Sequence, residues 1–120
     1  MGFDEDLVAF AKANPCLKKV NLSETPVTDI GVVALAISCP LLTRINLDHT
    51  SITDISVMAL ATSCSNLTEV YLRDTAVTDL GTTALAHCSF NLLLIDLHET
   101  NVTDEGKEHL RTALPRSHLV

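Results

Sequence analysis

The stretch "VNLSETPVTD" (20–29) returns as "INLDHTSITD" (45–54), "VYLRDTAVTD" (70–79) and "IDLHETNVTD" (95–104), each time 25 residues further on. A chain that repeats at one fixed interval is one structural unit used several times, and this outweighs every other clue to its fold. The agreement runs through the whole period. Leu17, Leu42, Leu67 and Leu92 open the units; Val20, Ile45, Val70 and Ile95 stand three places on, and Leu22, Leu47, Leu72 and Leu97 two beyond those. Thr25, Thr50, Thr75 and Thr100 follow, then Val27, Ile52, Val77 and Val102, and each copy closes on Thr-Asp, ending at Asp29, Asp54, Asp79 and Asp104.

Spacing translates into geometry. Val20 and Leu22 are two apart and share one face of a short strand, so residues 19, 21 and 23 point the other way. After Thr-Asp the period becomes helical. In "TDIGVVALAISC" the residues Ile30, Val33, Ala34 and Ile37, widened by Leu35, form the stripe expected to face the core. Thr28, Thr53, Thr78 and Thr103 suit the N-cap, worth about 1 kcal/mol each, and the Asp after each suits the positive end of the helix dipole. The helices run out at "CP", "CSN" and "CSFN". One strand–helix unit cannot bury its apolar side alone, so units must stack. Strands stack about 4.8 Å apart and helices need about 10 Å. The stack therefore bends into an α/β solenoid, with a short parallel sheet on the concave side and helices on the convex side. Ala34, Ala59 and Ala84 are expected to let neighbouring helices approach. The threonine row at 25, 50, 75 and 100 is expected to satisfy loop amides with its stacked oxygens; the alternative is that these are ordinary β-formers.

The pattern L-x-x-[VI]-x-L-x-x-T-x-[VI]-T-D-x-G-x-x-A-L-A-x-x-C resembles the cysteine-containing class of leucine-rich repeat, familiar from F-box substrate receptors of ubiquitin ligases and related intracellular adaptors. The resemblance covers residues 4–114. The copies depart from it in places: Asn14 and Ser89 stand where Cys39 and Cys64 do, with Cys88 one place early, and Ser56 replaces the glycine of Gly31, Gly81 and Gly106. A cysteine that shifts by one place reads as filling. The resemblance implies a non-catalytic protein-binding module; through the F-box class it implies a partner destined for ubiquitination, with the ligase-binding part missing or supplied by another chain.

The 120 residues suffice for one domain, read as a partial first unit at 4–16, units at 17–41, 42–66, 67–91 and 92–114, and a tail at 115–120. Residues 4–13 align with the helix half of a unit, so the array is expected to start inside a repeat. A fragment of a longer array and a small natural protein with one open edge both stay open. At the far end His109 and Arg111 replace alanines, as a capping unit requires, and Pro115 stops the helix. Lys18 and Lys19 sit on the first strand, where lysine discourages edge pairing. The expected state is a monomer, or weak self-association through that N-terminal edge.

The net charge of −7 argues against a nucleic-acid partner, with no basic stripe to neutralise phosphates, and against docking on an anionic membrane surface. The acidic start "MGFDEDLVAF" is no signal or transit peptide, and no apolar run is long enough to span a bilayer. Cys16, Cys39, Cys64 and Cys88 read as reduced thiols, too far apart in sequence for a zinc site, and the whole points to an intracellular, cytoplasmic protein. His49, Asp74, His98 and Glu99 are the one set with metal-ligating chemistry, and a solvated rim is the plainer reading of it. There is no phosphate-binding glycine loop, G-x-S-x-G or H-E-x-x-H. Neither enzyme activity nor a cofactor is expected.

What varies between copies is the outward strand face: Lys19, Arg44, Glu69, Leu94; then Asn21, Asn46, Tyr71, Asp96; then Ser23, Asp48, Arg73, His98; and, just past the strands, Glu24, His49, Asp74, Glu99. A constant scaffold carrying a variable face is what recognition of a protein partner needs. The candidate contact residues are Lys19, Arg44, Asn46, Asp48, Glu69, Tyr71, Arg73, Leu94, Asp96 and His98, with Tyr71 and Arg73 the best anchors, since those residue types are enriched at binding hot spots. The alternative is a small assembly subunit joined through its open N-terminal edge.

Overall fold

Strand and helix alternate from end to end in the computed structural model, which describes residues 2–120. The order is α1 (Phe3–Ala13), β1 (Lys19–Asn21), α2 (Asp29–Ser38), β2 (Arg44–Asn46), α3 (Asp54–Ser63), β3 (Glu69–Tyr71), α4 (Asp79–Cys88), β4 (Leu94–Asp96), α5 (Asp104–Ala113) and β5 (His118–Leu119). The strands form one parallel sheet in sequence order. Its register is the repeat itself: Lys19 pairs with Arg44, Arg44 with Glu69, and Glu69 with Leu94. Each helix packs on the next, giving an α/β solenoid 40 Å long and 24 by 17 Å across.

The leucine column lies where the period puts it. Leu22, Leu47, Leu72 and Leu97 are buried, as are Ile45, Val70 and Ile95 beside them. Val20, on the edge strand, is only half-buried. The residues read as a tail supply a fifth strand, with His118 opposite Leu94 and Leu119 opposite Ile95.

The helices turn differently from the sequence expectation. Ile30 and Ile37 lie on the outside, 73% and 67% exposed, and the buried residues of α2 are Gly31, Val32, Leu35 and Ala36. Ala34, Ala59 and Ala84 are only half-buried; Ala11, Ala36, Ala61 and Ala86 fill the closely packed positions. The reason is that a solenoid helix touches the sheet and both neighbours. Its buried arc is wide, and part of it must be glycine or alanine, so the bulkiest apolar stripe is not the innermost one. Arg111 follows the row of buried alanines and is exposed on the last helix, where no described helix packs outside it.

The threonine row works mainly the other way round, although Thr100 Oγ1 also accepts the loop amide of Val102 at 3.4 Å. The hydroxyls of Thr25, Thr50, Thr75 and Thr100 donate to the carbonyls of Leu22, Leu47, Leu72 and Leu97, at 2.6–2.7 Å, each within its own turn. They close a bend in which the preceding residue, Glu24, His49, Asp74 or Glu99, takes a left-handed conformation with φ between 53° and 58°. The strand ladder runs on to this bend, through Glu24 N–H to Asp48 O, His49 N–H to Arg73 O and Asp74 N–H to His98 O. The chain then leaves the sheet for the helix layer.

Thr28, Thr53, Thr78 and Thr103 cap their helices as expected. In the first four helices an aspartate of the first turn does more than face a dipole. Asp4, Asp29, Asp54 and Asp79 each accept the backbone N–H of the threonine in the following unit, at 2.8–2.9 Å, together with its hydroxyl. Asp54 also accepts Gly81 N–H at 3.1 Å. This carboxylate accounts for the glycine: a Cβ on Gly81 would stand 2.6 Å from Asp54 Oδ1, and Gly31 and Gly106 are crowded the same way by Asp4 and Asp79. Ser56 is the exception that fits, because its hydroxyl donates to Asp29 Oδ1. Thr-Asp-x-Gly is therefore a clamp between successive units.

Candidate functional site

The parallel register turns the variable strand residues into rows across an open concave face. Arg44 is the centre of the first cluster. Its guanidinium lies 5.6 Å from the Tyr71 ring centroid, within cation–π range, and its Nε is 3.9 Å from Glu69 Oε1. Tyr71 donates its hydroxyl to the same Glu69 oxygen at 2.6 Å. That hydrogen bond holds the phenol above its ordinary pKa, helped by partial desolvation. The three side chains thus support one another across two rungs and present the tyrosine ring on the face.

A second cluster lies one rung on. Asp96, 6% exposed, receives Arg73 Nη2 on Oδ2 at 3.4 Å and His98 Nδ1 on Oδ1 at 2.9 Å. Beyond the strands His49 Nδ1 meets Asp74 Oδ2 at 3.0 Å, and this hydrogen bond raises the His49 pKa above its ordinary value. Because His98 turns to Asp96, the set His49, Asp74, His98 and Glu99 does not converge. Among the described residues no group of three or more His, Cys, Asp or Glu side chains stands together as metal ligands.

Part of the supposedly variable row is scaffold. Asn21 Oδ1 accepts Ser23 N–H, Asn46 Oδ1 accepts Asp48 N–H and Asp96 Oδ1 accepts His98 N–H, at 2.9–3.1 Å. These are side-chain-closed turns of the kind Asn and Asp form readily. Tyr71 occupies that position in the third rung and has no such acceptor. There the loop amide, Arg73 N–H, is taken by Asp48 Oδ1 of the preceding rung at 2.8 Å.

All four cysteines are free thiols; Cys39 and Cys64 are buried, Cys88 is half-buried and Cys16 is exposed. Cys39 Sγ approaches the carbonyls of Ala11 and Asn14, and Cys64 Sγ those of Ala36 and Cys39, at 3.3–3.6 Å. Burial pushes the Cys39 thiol up and the Cys64 thiol to about 11, so both stay protonated and unreactive. Ser89 takes the equivalent place in the fourth unit, buried, and its hydroxyl finds no hydrogen-bond partner among the described residues.

A profile of the family described as "Leucine Rich repeat" matches residues 13–36, 38–61 and 63–86. The chain belongs to the leucine-rich-repeat family. No curated protein sequence matches it. Among solved structures, the leucine-rich-repeat chain is similar to "Leiomodin-1 Actin-Binding Site 2 (ABS2)", with a TM-score of 0.76 and 15% identity over 98% of this chain and 75% of that one. It is also similar to the C-terminal domain of tropomodulin from Caenorhabditis elegans, with a TM-score of 0.64 and 13% identity over 96% and 93%. At such identities the likeness is one of fold.

On this leucine-rich-repeat frame the sequence-derived residues divide. Arg44, Glu69 and Tyr71 come together, as do Arg73, Asp96 and His98. Asn46 and Asp48 are half-buried turn-holders, and Asp96 lies beneath its neighbours rather than on the face. Lys19 is exposed at the open edge, where Lys19, Val20, Asn21, Arg44 and Asn46 line a shallow depression of about 310 Å³. Leu94 is half-buried, and the exposed apolar residue beside it is Leu93. Sequence reasoning missed the turn function of the Asn/Asn/Asp row, although Asn and Asp two residues before a loop were a readable sign of it. Among the described residues no helix is long and apolar enough to cross a membrane.

Proposed function

We propose that this chain is a non-catalytic protein-binding module that holds its partner on the concave sheet, with Tyr71 and Arg73 as anchors and Arg44 as the support of Tyr71. The observation that carries the reading is the third rung. The first, second and fourth rungs have Asn or Asp at this position and close their own turns. Tyr71 gives up that bond, and Asp48 makes good the loss. A scaffold that breaks its own local rule and compensates elsewhere marks a functional residue. The ring is a large, stiff, amphipathic surface of the type that dominates binding energy.

The decisive variant is Tyr71→Asn, which restores the turn residue of the neighbouring rungs. The expected outcome is stability equal to or above wild type, with capture of a native-extract partner weakened by about 30-fold or more, the scale of a hot-spot loss. Equal capture by wild type, Tyr71→Asn and Arg73→Ala would overturn the proposal. The finer reading is an adaptor of the cysteine-containing class that presents a protein for ubiquitination in an intracellular, cytoplasmic setting. The leiomodin-1 structure is titled an actin-binding site, so purified actin belongs in the same assay as a candidate partner.

A second reading rests on β1. Its even-numbered neighbours Lys18 and Leu22 bond to β2, which leaves Lys19 and Asn21 facing the open edge. An assembly subunit pairing there, or a weak self-associated state, would show a mass in light scattering that rises with concentration.

A further inference from the structure

We propose that the convex side carries a second docking surface, for an amphipathic helix of a partner with an apolar residue at every seventh position and basic residues at its ends. It lies on the opposite side of the solenoid from the concave face and does not depend on that proposal. The surface is a single repeat position. Residues 5, 30, 55, 80 and 105 are Glu, Ile, Ile, Leu and Glu. Ile30, Ile55 and Leu80 are 73%, 60% and 70% exposed, on three successive helices. Met58 and Ile37 are exposed alongside, and an open groove of about 390 Å³ runs between α2 and α3, lined by Asp29, Ile30, Val33 and Ile55. Glu5 and Glu105 are exposed at the two ends, and Glu108 adds a further charge at the far one. Contiguous exposed apolar surface rimmed by charge is a mark of an interaction site, and scaffold packing has no use for these side chains.

The spacing selects the occupant. Neighbouring helices lie about 10 Å apart, so the three apolar side chains recur at that interval. A helix rises about 1.5 Å per residue, and seven residues bring it about 10.5 Å along with the same face down. An extended strand advances about 3.3 Å per residue and shows one face only at every second residue. It meets the surface at about 6.6 or 13 Å and drifts out of step. The two glutamates stand one interval beyond the apolar row on each side, so the complementary helix bears Lys or Arg one heptad before its first apolar contact and one after its last. This chain's own longest helix has 11 residues, too short to cross the row, so a second copy does not supply the occupant.

The test uses the full chain and a synthetic helical peptide of about 29 residues, four heptads of about 10.5 Å each. Its apolar residues sit seven apart, with Lys at both ends, and it is titrated by fluorescence anisotropy. The expected result is saturable binding that falls at least tenfold in the triple variant Ile30→Glu, Ile55→Glu, Leu80→Glu, and severalfold, with loss of salt dependence, in Glu5→Gln with Glu105→Gln. All five positions are solvent-facing, and circular dichroism of each variant confirms the fold. Tyr71→Asn leaves this binding unchanged, which separates it from the concave site. Equal binding of a peptide with its apolar residues five apart overturns the proposal. So does indifference to the triple variant, a dimer in light scattering that the triple variant dissolves, or binding of the chain to phosphatidylcholine vesicles that the triple variant abolishes.

Discussion

Removing the Asp54 carboxylate should cost far more than removing the same residue from the last helix. Asp54 accepts three hydrogen bonds from the next unit: Thr78 N–H at 2.8 Å, the Thr78 hydroxyl, and Gly81 N–H at 3.1 Å. Hydrogen bonds to a charged group contribute about 1.5–3 kcal/mol each. They are not additive within one cluster, and the site is only half-buried, so the three together are worth about 3 kcal/mol. Asp104 holds the equivalent place in α5 and clamps no described unit, so Asp104→Ala loses only the dipole interaction, about 0.3–1 kcal/mol. The difference between Asp54→Ala and Asp104→Ala therefore isolates the clamp, at about 2 kcal/mol or more. In a chain of this size that is about 8 °C in Tm. Urea unfolding followed by far-UV circular dichroism measures it, with the m-value checked for a loss of cooperativity between the two halves. Asp54→Asn keeps one acceptor and should fall between the two. A difference between the two alanine variants below about 0.5 kcal/mol, within the scatter of surface substitutions, would refute the clamp as a source of stability.

Three further outcomes follow from the same geometry. Ser89→Cys should stabilise the chain by about 1 kcal/mol under reducing conditions, because it replaces a buried unsatisfied hydroxyl with the thiol that Cys39 and Cys64 use; Ser89→Ala should do nearly as well, and destabilisation by both in thermal melts would count against the reading. Glu99→Gly should be neutral or slightly stabilising and Glu99→Val destabilising, with a gap of more than about 1 kcal/mol in denaturant unfolding, since φ at 58° suits glycine and not a branched side chain. In acid, burial pushes the Asp29 carboxyl up, but hydrogen bonds from Ser56 and Thr53 outweigh it and its pKa lies below 3.8; hydrogen bonds from Thr103 lower that of Asp79. Folded values below unfolded ones mean a stability contribution that is complete above the unfolded pKa and lost as pH falls through the folded one, so carboxyl carbon NMR should show both titrating late, and Thr103→Val should bring Asp79 back toward 3.8.

The strands were legible because a period of two admits one reading once the buried residues are known. Val20, Leu22 and their equivalents could face only one way, and the register followed from the repeat length alone. The N-caps were legible for a similar reason, since a cap is local. The helix orientation was not. In α2 both stripes are apolar, Ile30–Val33–Ile37 on one side and Val32–Leu35–Ala36 on the other, and helical periodicity cannot say which is inside. Comparison down the columns carries the missing signal: position 35 is Leu in four copies and Phe10 in the first, whereas position 30 becomes glutamate at both ends. The aspartate clamp was hidden differently. Its partners are 24 and 27 residues away, and within one copy Thr-Asp looks like a cap with a dipole partner and nothing more.

That distinction also decides where function should be sought. In a stack, the residues that recur do so because each unit must satisfy its neighbours: leucine for the core, aspartate and glycine for the clamp, a thiol for the helix end. A recurring residue therefore reports on the scaffold even when it is charged. Candidates for function are the positions where recurrence fails without a structural reason, or where it persists with no structural use. Tyr71 is the first kind, because the turn it occupies calls for Asn or Asp and the fold needed Asp48 to compensate. Ile30, Ile55 and Leu80 are the second kind, held through three units while pointing into water, and replaced by glutamate where the row ends. Asp96 fails both tests: it differs from Asn21 and Asn46 only by carrying a carboxylate in place of the amide, it closes the same turn, and the Arg73 and His98 that cover it are the groups an incoming protein would meet.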